Sequence, residues 1–273
     1  GGLLGPPRLE QKGVLVPELL ELEVTDGVGI VHLKRPPLNI LNRALVTELA
    51  DAALQAGRSP AIRAVVISGE GRHFSAGADV GEFQTMGVPE VHEYGKLLDA
   101  AFRGWADLPK VTIAAVNGYA LGGGCELALA ADFRFASDRA TLGLPEIQLG
   151  IIPGGGGTQR LPRLIGAARA KEMIFTGRHV KAEEALALGL VDAVFPAAEL
   201  LERAVEAARR YASGPLVALR AAKALVNRAD GDIEVGLDLE RHAFSMLFGT
   251  EDWRTGARSL AENGPGKAIF SGR

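Results

Sequence analysis

Cysteine occurs once, at Cys125, in 273 residues. A single thiol excludes an intramolecular disulfide framework and any zinc or iron–sulfur site built from several cysteines. It suits a reducing compartment. A positive charge excess is missing too, since 30 Lys and Arg stand against 33 Asp and Glu for a net charge of -3. Such a balance gives no global attraction to nucleic acid or anionic lipid. A long uninterrupted apolar run is also lacking. The longest stretch, Val111 to Ala131, is broken by Asn117, three consecutive glycines and Glu126, and a membrane span would bear a heavy cost for that carboxylate. Residues 1–13 are rich in Gly and Pro without the basic-then-apolar layout of a signal peptide, so 1–17 reads as a flexible arm. What is present is ordinary for a soluble globular chain, with 47% apolar and 23% charged residues. A chain of this length supports one large domain, or a main domain with an appendage, and buries about 70–75% of its unfolded surface.

The apolar spacing predicts an α/β core. Leu20 to Val24 alternates, Asp26-Gly27 makes a turn, and Val28 to Leu33 is a second strand. Pro36-Pro37 ends that run, and Ala44 to Ala56 has helical spacing. Ala64 to Ile67 reads as a fully buried strand. A loop from Gly71 to Gly87, a helix from Pro89 to Asp107 and a buried strand at Val111 to Val116 follow. After Pro153 the texture turns helical, with helices predicted over Leu161–Phe175, Ala182–Leu188, Glu199–Ala212, Leu216–Asn227, Ile233–Phe248 and Glu251–Glu262. One short strand is expected at Leu190 to Phe195, and there is no repeat of 20–50 residues.

Three familiar signatures fail on inspection. Gly266-Lys267 ends like a phosphate loop, but Ala261 stands at the first glycine and Ala268 at the Ser or Thr. His92-Glu93 opens a zinc-protease pattern that Lys96 breaks. Phe74-Ser75-Ala76-Gly77 lacks the leading glycine of a nucleophile elbow. The five histidines are scattered, so no metal site is expected.

Three other segments combine glycines, where a backbone can approach a ligand, with carboxylates where a core avoids them. In Phe74-Ser75-Ala76-Gly77-Ala78-Asp79, small residues after a buried strand leave N–H groups able to face a ligand, or Asp79 simply caps a helix. In Asn117 to Ala130 a strand enters the turn Gly122-Gly123-Gly124 and then a helix with Glu126 in its first turn. Helix N-termini carry unpaired N–H groups and partial positive charge, which suits an oxyanion; the same dipole also stabilises an ordinary helix-start acid. The third segment, Leu144 to Pro153, places Glu146 among apolar residues just before four glycines and Thr158-Gln159-Arg160. Two carboxyls in an apolar site can hold different protonation states, one as acid and one as base. With fixed N–H donors, such a set suits proton and water transfer beside a carbonyl. Their twenty-residue separation is compatible with the two acids meeting in space and says nothing stronger.

The run Ile113 to Leu129, the Pro145-Glu146 segment and Pro153 to Leu161 together resemble the crotonase superfamily, most closely its enoyl-CoA hydratases. The resemblance extends from about Leu20 to the C-terminus. It implies a crotonase-type spiral of ββα units over 18–212 and a helical region over 213–273 through which copies form a homotrimer, or a hexamer of two trimers. It implies an acyl-CoA thioester as substrate, with no cofactor beyond the coenzyme A that the substrate carries; from the charge balance and the broken apolar run, neither nucleic acid nor a membrane is expected as a partner. The expected reaction is addition of water across the 2,3 double bond of a 2-enoyl-CoA, in fatty-acid or branched-acid degradation. The expected location is bacterial cytoplasm or mitochondrial matrix. Matched residue by residue, Ala78 and Gly123 are the oxyanion donors, and Gly122 beside them is expected to contact the acyl-CoA substrate. Glu126 is the acid that activates water, and Glu146 the one that protonates the α-carbon. Ala76, Asp79 and Val80 fall where the family binds the adenine end of coenzyme A. Gly81 replaces a lysine frequent in hydratases, and Lys267 stands in a C-terminal run unlike the family's, either as a phosphate contact from a neighbouring subunit or as an exposed solubilising residue. Ile151 to Pro162 also resembles the 3-methylglutaconyl-CoA hydratase branch, and double-bond isomerases share the scaffold. A branch linked to AU-rich RNA makes nucleic-acid binding a further alternative, opposed by the net charge.

Overall fold

Asp26 and Gly27, with φ of 50° and 78°, adopt the left-handed conformation that a two-residue hairpin turn demands. They join β1 (Leu20–Thr25) to β2 (Val28–Leu33) in an antiparallel pair running from Leu20↔Leu33 to Thr25↔Val28. The computed structural model describes residues 18–273; the arm expected over 1–17 lies outside the described residues. Helix α1 (Arg43–Arg58) starts where the Asn42 side chain accepts from the Leu45 N–H (3.0 Å), and it buries Leu45, Val46, Leu49, Ala52, Ala53 and Ala56 on one face. Next come β3 (Ala64–Gly69), α2 (Val80–Phe83), α3 (Val88–Ala106) and β4 (Val111–Val116). Then follow β5 (Tyr119–Leu121), α4 (Gly123–Ala130), β6 (Phe133–Ser137), β7 (Thr141–Gly143) and a 3₁₀ turn at Pro145–Leu149. The chain continues through α5 (Gly157–Ile165), α6 (Ala167–Thr176), β8 (Val180–Lys181), α7 (Ala182–Leu188) and β9 (Ala193–Phe195). Four helices finish it: α8 (Leu200–Ala212), α9 (Leu216–Val226), α10 (Ile233–Leu247) and α11 (Glu251–Asn263).

The strands form two sheets. The larger has the order β1-β2-β3-β4-β6-β9, parallel from β2 onward, and the smaller the order β5-β7-β8. β3 and β4 are buried along their whole length because both faces of the large sheet are covered, which is why they read as continuous apolar runs. Val65, Ile67, Ala114 and Val116 point into the main core under α1, α3 and α4. Alternate residues Ala64, Val66, Ile113 and Ala115 meet Leu200, Ala204, Val205 and Ala208 of α8 on the other face. Successive turns of chain repeat one pattern: a strand in the large sheet, a short extended segment in a second layer, then a helix. The second layer begins with the single bridges Leu41↔Ala78 and Ser75↔Ala120 and continues as β5, β7 and β8. The result is a stacked series of ββα turns with the short layer running beside the glycine-rich segments.

Several elements differ from the sequence expectations. The single helix expected over Leu161–Phe175 is two, α5 and α6, divided at Gly166 with φ 82° and ψ 154°, a conformation no helix can continue through. The expected Gly71–Gly87 loop contains the one-turn helix α2, capped by the Asp79 carboxylate on the Gly81 N–H (3.2 Å). Of the strand expected over Leu190–Phe195, only Ala193–Phe195 pairs. After α11 the tail folds back, and Asp252 accepts from the N–H groups of Ser271 (2.8 Å) and Gly272 (3.0 Å), while Arg63 donates to Ser271 O (3.2 Å). Among the described residues no helix is long and apolar enough to cross a membrane.

Candidate active site

Ser75 is the hinge of the site. Its N–H donates to Tyr119 O (2.9 Å), its carbonyl accepts from the Leu121 N–H (3.0 Å), and its hydroxyl donates to Asn39 O (2.8 Å). The 73–78 segment therefore lies alongside β5. Farther along, Leu41 donates to Gly77 O (2.8 Å) and accepts from the Asp79 N–H (3.0 Å). In a parallel bridge of this kind the intervening residue, Ala78, turns its own N–H away from Leu41. That N–H faces the start of α4: a Cβ built on Gly123 would lie 3.6 Å from Ala78 N, and one built on Gly77 would lie 3.6 Å from Gly123 N. Gly123 is the first residue of α4, so its N–H has no partner within the helix. Among the described residues neither N–H has an acceptor. Two free donors thus stand side by side at the positive end of a helix.

The glycines are demanded by contact. Gly122 has φ 51°, and a Cβ there would come 3.1 Å from Glu146 Oε1. A Cβ on Gly124 would lie 2.3 Å from Ser75 O, so α4 rests directly on the backbone of the hinge.

Glu126 sits in the first turn of α4 and is 1% exposed. Its Oε1 accepts two backbone donors, Gly155 N–H (2.7 Å) and Gly157 N–H (2.8 Å), from the glycine run before α5. Glu146, second residue of the 3₁₀ turn, is half-buried, and its Oε2 is a buried atom with no hydrogen-bond partner. The two carboxyls share one environment, and each raises the other's neighbour, the Cys125 thiol, which burial pushes up to about 12. Burial also pushes Glu146 up to about 7, and the charge of Glu126 adds to that, against the pull of its own backbone N–H. Glu126 is raised by burial too, but the Gly157 and Gly155 N–H groups and the Arg160 guanidinium all pull it back. The asymmetry is physical: one acid has two fixed donors and a cation, the other has an orphaned oxygen. Glu126 has fixed donors for a charged form, and Glu146 Oε2 has none.

Glu126, Glu146, Gly122, Gly123 and Ala78 are thus brought together. Ala76 is half-buried on the same loop, with its N–H bonded to Leu38 O (2.9 Å), and Val80 is exposed at its end. Asp79 is engaged elsewhere, capping α2 and pairing with Arg35 at 3.1 Å. Lys267 is exposed in the tail and makes no hydrogen bond or ion pair among the described residues. Sequence reasoning missed Gly155 and Gly157 as partners of Glu126, Phe102 packed behind them, and Arg160. The visible signal was the four-glycine run itself, immediately after the second isolated acid.

Comparison with known proteins bears on the family and the fold. A family model described as enoyl-CoA hydratase/isomerase matches residues 23–270. A crotonyl-CoA hydratase of Syntrophomonas wolfei is 40% identical over 248 residues, covering 90% of this chain and 95% of that protein. A short-chain-enoyl-CoA hydratase of Clostridium acetobutylicum is 41% identical over 244 residues, covering 88% and 94%. The crystal structure of an enoyl-CoA hydratase from Bacillus anthracis superposes with a TM-score of 0.89 at 39% identity, over 94% of this chain and 100% of that one.

Proposed function

We propose that this chain, which belongs to the enoyl-CoA hydratase/isomerase family, hydrates 2-enoyl-CoA thioesters with two glutamates of opposite protonation state. The chemistry is addition of water across the 2,3 double bond to give a 3-hydroxyacyl-CoA. The thioester carbonyl sits against the Ala78 and Gly123 N–H groups. As water attacks the β-carbon, negative charge moves onto that oxygen, and each fixed donor stabilises it by about 3–4 kcal/mol of barrier. The Glu126 carboxylate takes the proton of the attacking water. The Glu146 carboxyl gives its proton to the α-carbon as the enolate collapses. Water's hydroxyl and one proton have then been added, with Glu126 protonated and Glu146 ionised. Return of a proton from one acid to the other resets the pair. Coenzyme A enters and leaves as part of the substrate, and every proton transfer falls to protein carboxyls.

The observation that carries this reading is the pairing of unlike acids beside two free N–H donors. Ala76 and Val80 line the loop on which the adenine end is taken to rest. Asp79 serves that loop by holding its shape, and Lys267 supplies a phosphate contact only when a neighbouring copy carries it to the site. Association of copies is supported by the C-terminal helices. Ile233, Val235, Leu237, Leu239, Phe244 and Met246 of α10 are all exposed on the single chain, more apolar surface than a lone domain leaves to water. A homotrimer, alone or doubled to a hexamer, covers it.

The test is hydration of crotonyl-CoA by the wild type and by Glu126→Gln and Glu146→Gln. Each variant is expected to lose about 100- to 10,000-fold in kcat while keeping its circular dichroism and thioester affinity. Near-normal turnover in either variant would remove that residue from the mechanism.

A further inference from the structure

Glu126 owes its setting to a strap of three glycines. Gly156 has φ 105°, and this left-handed residue between Gly155 and Gly157 turns the backbone so that both flanking N–H groups aim at one oxygen, Glu126 Oε1. The strap is held from two sides. From α3, the Phe102 ring lies where a Cβ on Gly155 would come within 2.6 Å. From α5, Arg160 reaches back one turn, and its Nη1 donates to Gly155 O at 2.8 Å. A Cβ on Gly156 would lie 2.2 Å from that nitrogen, so guanidinium and strap are in direct contact. The carbonyl held by Arg160 belongs to the planar Gly155–Gly156 peptide, which lies between the two units that carry the Gly155 and Gly157 N–H groups, so anchoring it limits how far those neighbours can swing about the Gly155 and Gly156 dihedrals.

We propose that Arg160 is a positioning residue for hydration: by gripping the Gly155 carbonyl it keeps the strap's two N–H groups, and a positive charge, trained on Glu126. The proposal rests on Glu126 being the group that activates water. The charged and titratable groups around Glu126 are Glu146 from the 3₁₀ turn, Cys125 on its own helix, and Arg160 from α5. Arg160 in turn faces Asp99 and Arg103 of α3 and Asp107 at its C-cap, of which Asp99 and Arg103 pair with each other at 2.9 Å. No other cation is directed at the Glu126 carboxylate among the described residues. Loss of Arg160 therefore loosens the strap and removes the one positive charge that favours the ionised acid.

The experiment measures crotonyl-CoA hydration by Arg160→Gln and Arg160→Lys across pH, with Glu126→Gln in parallel. Arg160→Gln is expected to lower kcat about 10- to 100-fold, the scale of a misplaced catalytic group. KM is expected to stay within about threefold, since binding of the thioester is untouched. The acidic limb of the kcat profile, where Glu126 takes up its proton, moves to higher pH in Arg160→Gln, because a carboxylate deprived of its cation protonates more readily. Arg160→Lys, which keeps the charge but not the fork, recovers part of kcat and leaves the limb near its wild-type place. Wild-type kcat and an unmoved limb in Arg160→Gln overturn the proposal. So does a kcat loss that follows the folded fraction with the limb unmoved. If Arg160→Gln does not fold, Arg160→Lys decides: reduced kcat with KM kept supports the role, and wild-type kcat overturns it. An active Glu126→Gln instead overturns the parent mechanism, which separates the two failures.

Discussion

At the scale of single residues, two chemically identical side chains have different surroundings. Glu126 receives two N–H donors at 2.7 and 2.8 Å, whereas Glu146 Oε2 receives none. In the proposed mechanism Glu146 must be protonated to serve the α-carbon, so activity is expected to fall as pH rises through its pKa. That value is pushed up to about 7 by burial and by Glu126. The expected kcat/KM profile for crotonyl-CoA therefore falls on the alkaline side near pH 7 in the free enzyme, and Glu146→Gln abolishes that limb. A flat profile through this region would show that no such acid is used. Gly122 stands at φ 51° with Glu146 Oε1 3.1 Å from where a Cβ would be, so a side chain there is strained and presses on that acid. Gly122→Ala is expected to destabilise the fold by about 1–3 kcal/mol and to depress kcat more than KM, read by urea denaturation and steady-state kinetics. Unchanged kcat would mean that the turn tolerates displacement of Glu146.

At the scale of elements, strands buried on both faces and amphipathic helices were legible, because an unbroken apolar run and a period of 3.6 are written directly in Val65-Val66-Ile67 and in α1. The short second layer was not. β5 and β7 have three residues each and β8 two, too few for a period to show, and they exist because the chain returns beside itself. β6 carries Arg134, buried at 3% exposure, which speaks against a core strand until its partners are seen: Asp192 at 3.3 Å, Leu190 O at 3.0 Å and Ala131 O at 2.8 Å. The meeting of Glu126 with Glu146 was expected from resemblance, since spacing could not give it. The loop carrying Ala78 depends on Asn39, fully buried, whose amide donates to Glu70 O (3.0 Å) and His73 O (2.7 Å) and whose carbonyl oxygen accepts from the Arg35 N–H (2.9 Å). Asn39→Ala leaves those groups without partners at a backbone with φ 48°. A loss of about 2–3 kcal/mol in unfolding free energy is expected, together with reduced kcat as Ala78 is released. Wild-type stability would show that water replaces the amide without penalty.

At the scale of the whole molecule, the core clusters end at Ala212 while α10 and α11 leave a wide apolar surface in water. Phe244 meets Phe248 edge-to-face and Phe248 meets Trp253 at a tilt, with ring centroids 5.1 and 4.5 Å apart, which forms a continuous aromatic cluster. Sedimentation equilibrium of the wild type is expected to give three or six chain masses, and Phe244→Glu with Met246→Glu to lower the mass, because two buried carboxylates oppose that interface. A monomeric wild type would contradict the assembly. Within each copy, the account stands on one charged and one neutral carboxyl sharing a site. Infrared difference spectra between the wild type and Glu146→Gln, recorded as pH is raised, read that state directly. The account predicts a protonated carboxyl band that belongs to Glu146 and is half lost near pH 7. A Glu146 that is already ionised above the ordinary glutamate value of about 4.3 would contradict it.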